Sequence, residues 1–257
     1  AGEYAGEYRI KEIIEKYSNF ADFPILLKGN KINKVTALWH KKAEEINDKD
    51  AAEFYKFLTN DYDDPLGYWP VSVEGVVNFK ALLFMPARAP LDYMWIHKEK
   101  SLHLYSNKVL IQSDSKDLLP EYLRFIKGVV DTSDLPLNIS REVTQFSPTM
   151  TKIREILTGK ILAYLKDWAE NKQDKYKQFY KNFGMVLKTG LNSDFVNRDK
   201  IIDLLRFESS AKPRGEVSSL KEYVSRMKDF QKEIYYISGE NRDLLEHNPK
   251  LEYFAKN

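Results

Sequence analysis

Arg141 and Gln145 are the two side chains best suited, by type and spacing, to do chemistry in this sequence. They lie at the end of the stretch Gly128–Gln145, which reads GVVDTSDLPLNISREVTQ. Its apolar Val129-Val130 reads as the end of a buried strand. Asp131-Thr132-Ser133-Asp134 follows as a cluster of turn formers, whose side chains bond their own backbone. Leu135 precedes Pro136 and is pushed toward extended geometry. Asn138 and Ser140 stand where helix N-caps stand, with Arg141 and Glu142 opening the helix. Gln145 lies four residues after Arg141, on the same face if the helix continues. A guanidinium held beside an amide offers several donors in a rigid fork, a good device for meeting a phosphate. The plainer alternative pairs Arg141 with a nearby carboxylate such as Glu142 or Asp134, and spacing alone favours that alternative.

Other chemistries find less support. The chain has no cysteine, which excludes disulfides, thiolate zinc sites and a cysteine nucleophile, and it agrees with a reducing compartment. Neither GxxxxGK[ST] nor GxGxxG occurs, so no phosphate-cradling loop of its own is expected. His40, His97, His103 and His247 are scattered without a helical metal spacing, and no metal site is expected. An N-cap role is sufficient for Ser140, and Asp63-Asp64 falls in a loop. The 40 basic and 38 acidic side chains nearly cancel to +2, which gives no electrostatic case for nucleic acid. The longest apolar run, Ala81–Met85, is too short to span a bilayer. No secretory leader is visible, so a cytoplasmic location is the expectation.

The elements that must position the 128–145 stretch can be read along the chain. Residues 1–8 duplicate Ala-Gly-Glu-Tyr and are set aside as a cloning remnant. From Arg9 to Tyr17, Ile10, Ile13, Ile14 and Tyr17 recur at helical spacing. Pro24–Leu27 reads as a strand closed by a turn at Lys28–Lys31, with Val35–Trp39 as its return. Asn47 caps a helix to Thr59 with Phe54, Phe57 and Leu58 inward. Ser72–Gly75 and Val76–Met85 read as strands, and two prolines then break the pattern at residues 86–90. Tyr93–Ile96 is an apolar cluster on that loop, either folded on the core or a binding patch. Leu102–Tyr105 and Val109–Gln112 pair around Ser106-Asn107-Lys108. Pro148 opens a helix whose stripe is Ile153, Ile156, Leu157, Ile161, Tyr164, Leu165 and Trp168. Asn171–Phe183, rich in Lys and Tyr, reads as a partly exposed connector with a solvated helical face. Ala211–Val217 is the linker candidate, Ser218-Ser219-Leu220 caps a helix, Glu233–Ser238 reads as β, and Asp243–His247 starts another helix.

The same residues carry a family resemblance. DLPLNISREVTQ with PEYLRFIKGVVD resembles the middle domain of the heat-shock protein 90 chaperone family in its bacterial form. RIKEIIEKYSNFADFPILL, EFYKFLTNDYDDPL, ALLFMPARAPLD, FYKNFGMVLKTG and SLKEYVSRMKDFQKEIYYISGE follow in the family's order. The resemblance implies a mixed α/β fold: a large three-layer α-β-α part over 9–168, a helical connector over 169–206, and a small α-β-α part over 207–257. It implies ATP and Mg bound by a separate N-terminal domain, a C-terminal dimerisation domain, a homodimer, and partly unfolded client proteins as partners. Nucleic acid and membrane are not among the implied partners. Arg141 would approach the γ-phosphate of that ATP, and Gln145 would order the attacking water or the loop. Trp39, Arg88, Trp95 and Leu110 are the implied client or interdomain contacts. At Leu110 the sequence departs from the family, which usually carries an aromatic there. The chain by itself is then not expected to be an enzyme. A stand-alone protein- or nucleic-acid-binding module with a structural Arg141 is the alternative.

Overall fold

The segment Phe79–Met85, FKALLFM, sets the architecture, because apolar residues occupy consecutive positions and a strand sends them to opposite faces. Ala81, Leu83 and Met85 join one buried cluster, and Leu82 and Phe84 join another. Both faces of this strand must therefore be covered. The computed structural model describes residues 6–33, 36–89, 102–135, 147–239, 241–252 and 254. It divides into two compact units, Ala1–Leu205 and Arg206–Asn257.

In the first unit a five-stranded sheet runs in the order β3-β4-β7-β5-β6. The strands are β3 (Gly67–Val73), β4 (Phe79–Met85), β5 (Leu102–Ser106), β6 (Val109–Gln112) and β7 (Lys127–Thr132). Neighbours are antiparallel except β5 and β7, which are parallel. One face is covered by α3 (Pro148–Asn171), α4 (Gln173–Thr189) and α5 (Arg198–Leu204). The other is covered by α2 (Asp48–Thr59), Phe20 and the 3-10 turn Leu38–His40. The result is the expected mixed α/β architecture, helices above and below a sheet.

Several local readings hold. Asn47 caps α2, its side chain accepting from the Asp50 N–H at 2.8 Å. Ser147 and Pro148 open α3, and five of the seven stripe residues are buried, with Ile156 and Tyr164 at its margin. Asn107 and Lys108 both take positive φ between β5 and β6, the geometry a tight hairpin requires. Before them, α1 (Glu7–Tyr17) starts two residues earlier than expected, so Glu7 and Tyr8 of the set-aside terminus are helical.

Others are corrected. The strand β1 (Leu26–Leu27) pairs with β2 (Asn30–Lys31) through Lys28 and Gly29 at φ +50° and +81°. Of the segment expected as its return, Val35 lies outside the described residues and Leu38–Trp39 belongs to the 3-10 turn Leu38–His40. Phe57 is 45% exposed, and Tyr55 takes the inward place on α2. β3 begins at Gly67 rather than Ser72, and β4 at Phe79 rather than Val76. Asp131 and Thr132 belong to β7, buried, rather than to a turn. The stretch read as a solvated connector is α4, which buries Tyr176, Phe179 and Phe183 in the main cluster.

The second unit holds the hairpin β8 (Phe207–Glu208) and β9 (Val217–Ser218), then α6 (Leu220–Ser225) and α7 (Arg242–Glu246). Of residues 211–217, expected as a linker, 211–216 lie in the loop of this hairpin and Val217 opens β9. Ser219 and Glu222 exchange backbone-to-side-chain bonds of 3.1 and 2.8 Å, a capping box that starts α6. Arg242 joins the pieces, meeting Glu208 at 2.6 Å, Glu246 at 2.5 Å and the Lys212 carbonyl at 3.1 Å. Residues 233–238, expected as β, form no strand pairing. Among the described residues of this unit no apolar side chain is buried.

Candidate functional site

The central strand β7 leads out of the core toward residues 136–146, so its path fixes where that segment starts. Gly128 makes the path possible. Its φ is +143°, and a Cβ there would lie 2.2 Å from the Leu82 carbonyl oxygen of β4. Three residues later the chain places a carboxylate where an apolar side chain would be ordinary. Asp131 is 4% exposed, and its Oδ2 accepts from Trp39 Nε1 at 3.0 Å and from the Lys108 backbone N–H at 3.1 Å. His40 Nε2 lies 2.8 Å from the same oxygen, and beside an ionised carboxylate that nitrogen carries the proton. Burial pushes the Asp131 carboxyl up, but the bonds from His40, Trp39 and Lys108 outweigh it and hold the group below the ordinary carboxylate range.

The strand's end is gripped from the other side as well. Thr132 Oγ1 donates to the Asn78 carbonyl at 2.7 Å, and Asp134 Oδ2 accepts from the Asn78 N–H at 2.6 Å. Ser133 Oγ donates to Asp134 Oδ1 at 3.2 Å, and Leu135 is buried in the main cluster. At the far side of the 136–146 segment, Ser147 leads into α3, with the Thr151 N–H donating to its carbonyl at 3.1 Å. An open groove of about 410 Å³ lies beside the strand end, lined by His40, Asn78, Lys80, Lys108, Asp131 and Ser133 among others.

The expected site residues divide three ways. Arg141, Gln145 and Trp95 lie outside the described residues. Arg88 is exposed, and its Nε lies 3.3 Å from Asp63 Oδ2. Trp39 and Leu110, at 2% and 4% exposure, are core side chains of the α2 face, which for Trp39 is the core-aromatic reading its sequence position also allows. The Asp131 cluster was not foreseen, since its partners Trp39 and His40 are 92 and 91 residues away in sequence. Asp134, one expected partner of Arg141, bonds Asn78 and Ser133.

The sequence model of the Hsp90 protein family matches residues 27–257. The chain belongs to the Hsp90 family. It is 56% identical over 255 residues to the chaperone protein HtpG of Chlorobium phaeovibrioides, covering 98% of this chain and 41% of that protein. The chaperone protein HtpG of Chlorobaculum tepidum is 52% identical over 257 residues, covering 99% of this chain and 41% of that protein. That of Geobacter sulfurreducens is 41% identical over 279 residues, covering 99% and 43%. The chain thus spans about two fifths of the length of these HtpG relatives. In this Hsp90-family chain residues 136–146 are flanked by a strand end with a buried carboxylate on one side and a proline-started helix on the other.

Proposed function

We propose that this chain serves as the middle segment of an ATP-dependent chaperone, supplying Arg141 to ATP held by a separate ATP-binding domain. The observation that carries the reading is the family match over residues 27–257, which includes the whole Gly128–Gln145 stretch. The frame on either side supports it, because β7 and α3 are rigid elements and rigid elements suit a group that must meet a phosphate in one position. Arg141 offsets charge on the γ-phosphate, and Gln145 orders water or the loop. Phosphoryl transfer depends on such positioning and charge stabilisation rather than on covalent help. ATP and its Mg ion belong to the other domain, and the donor set of a guanidinium and an amide suits the terminal phosphate. Partly unfolded client proteins, the chaperone's own dimerisation domain and a cytoplasmic homodimer complete the reading. Among the described residues no helix is long and apolar enough to cross a membrane.

A test in trans uses this chain directly. The separate ATP-binding domain of such a chaperone is mixed with increasing amounts of the chain, wild type or Arg141→Ala, and turnover is followed. Wild type raises turnover, whereas Arg141→Ala competes with it for docking and raises nothing. Equal stimulation by both would contradict the assignment.

A further inference from the structure

A buried carboxylate is an unusual way to fill a strand position next to Val129 and Val130, since an apolar side chain of similar volume is often at least as stabilising there. What the carboxylate adds is direction, because charge-assisted hydrogen bonds are short and geometrically specific. Its place in the sheet shows what is directed. The pairing of β7 with β5 ends at Tyr105↔Asp131, and that with β4 ends at Phe79↔Thr132. Where the ladder to β5 stops, the Lys108 N–H of the β5–β6 turn reaches the Asp131 carboxylate instead. Where the ladder to β4 stops, Asn78 takes over, bonding Thr132 and Asp134. Trp39 and His40 bring a third segment onto the same oxygen. The end of β7 is therefore fixed from three directions after its backbone pairing has run out.

We propose that Asp131, held by Trp39, His40 and the Lys108 amide, is a positioning residue that sets the direction in which Thr132–Leu135 leaves the sheet and so where residues 136–146 are delivered. The consequence for turnover rests on the reading of Arg141 above; the consequence for the strand end does not.

The experiment compares Asp131→Asn and the milder His40→Ala with Tyr55→Phe. Tyr55→Phe removes the bond from Tyr55 Oη to Asp61 on the same unit, away from the strand end. In this chain, amide hydrogen exchange is read over residues 132–146 and over α4. In the longer chaperone, kcat and KM for ATP are read for the same three variants and for Arg141→Ala. Asp131→Asn speeds exchange over 132–146 while α4 keeps its protection, and lowers kcat by about tenfold to a hundredfold with KM unchanged, as misplacement of a reacting group does. His40→Ala moves both in the same direction by less, and Tyr55→Phe moves neither. Exchange over 132–146 that rises no more than in α4, in both Asp131→Asn and His40→Ala, overturns the inference. If Asp131→Asn does not fold, His40→Ala alone decides. If Arg141→Ala leaves turnover unchanged, the reading of Arg141 fails, and the exchange data still decide the role of Asp131.

Discussion

At the scale of single residues, Asp131 and Gly128 carry the sharpest consequences. Asp131 has its carboxyl held below the ordinary range by three donors despite burial. A carboxyl whose folded pKa is depressed stabilises the fold fully above its unfolded value of about 3.9 and loses that contribution as pH falls through the folded value. Asp131→Asn should cost about 2–4 kcal/mol near neutral pH, because it leaves buried donors poorly matched. It should also flatten the loss of stability below about pH 4, which denaturant titrations of both proteins across that range would show. A parallel, steep acid limb in both would contradict the assignment. Gly128→Ala meets the Leu82 carbonyl and a φ of +143° together. A loss on the order of 3 kcal/mol or more is expected from that clash and strain. Circular dichroism melts would detect it, and an unchanged melting temperature would refute it. Neither residue announces itself in the sequence. Asp131 sits in Asp-Thr-Ser-Asp, which locally reads as a turn, and its partners arrive from residues 39, 40 and 108.

At the scale of elements, what could be read depended on whether the determining interactions were local. The Asn47 cap of α2, the proline start of α3, the capping box of α6 and the hairpin at Asn107-Lys108 all follow from neighbours within four residues. β3 extends back through Pro70, which lacks the N–H of a central strand; β3 is the edge of the sheet, where proline is tolerated. In α4 interspersed lysines obscure the spacing of Tyr176, Phe179 and Phe183, which repeats at three and four residues, and Phe179 and Phe183 meet Phe125. Phe179→Ala separates the two views of α4. As a core residue with no exposed surface it should cost about 3–5 kcal/mol. A solvated connector would lose well under about 1 kcal/mol. Urea titration distinguishes these. Residues 233–238 have β-forming composition, yet Ile234, Tyr235, Tyr236 and Ile237 remain 37–88% exposed, because propensity forms no strand without a partner.

At the scale of the whole chain, the two units differ in what holds them. The first has two apolar clusters on opposite faces of one sheet, whereas the second relies on caps and on the Arg242 ion pairs. Ion pairs whose carboxylates are about half exposed, as Glu208 and Glu246 are here, weaken with salt. Raising salt should therefore loosen residues 206–252 before the sheet, as amide exchange of the two units would report; uniform loss across both would contradict it. The family is legible in the sequence because long ordered segments carry it, and the sheet's layering because β4 is apolar at consecutive positions. The chemistry proposed for Arg141 is legible only as a donor set suited to a phosphate, since under that proposal the phosphate is held by a separate domain. The measurement that tests this most directly is ATP turnover by the intact chaperone carrying this chain, wild type against Arg141→Ala, with ATP affinity measured alongside. The account predicts that turnover collapses while affinity holds. Unchanged turnover at unchanged affinity would make Arg141 a structural residue and contradict it.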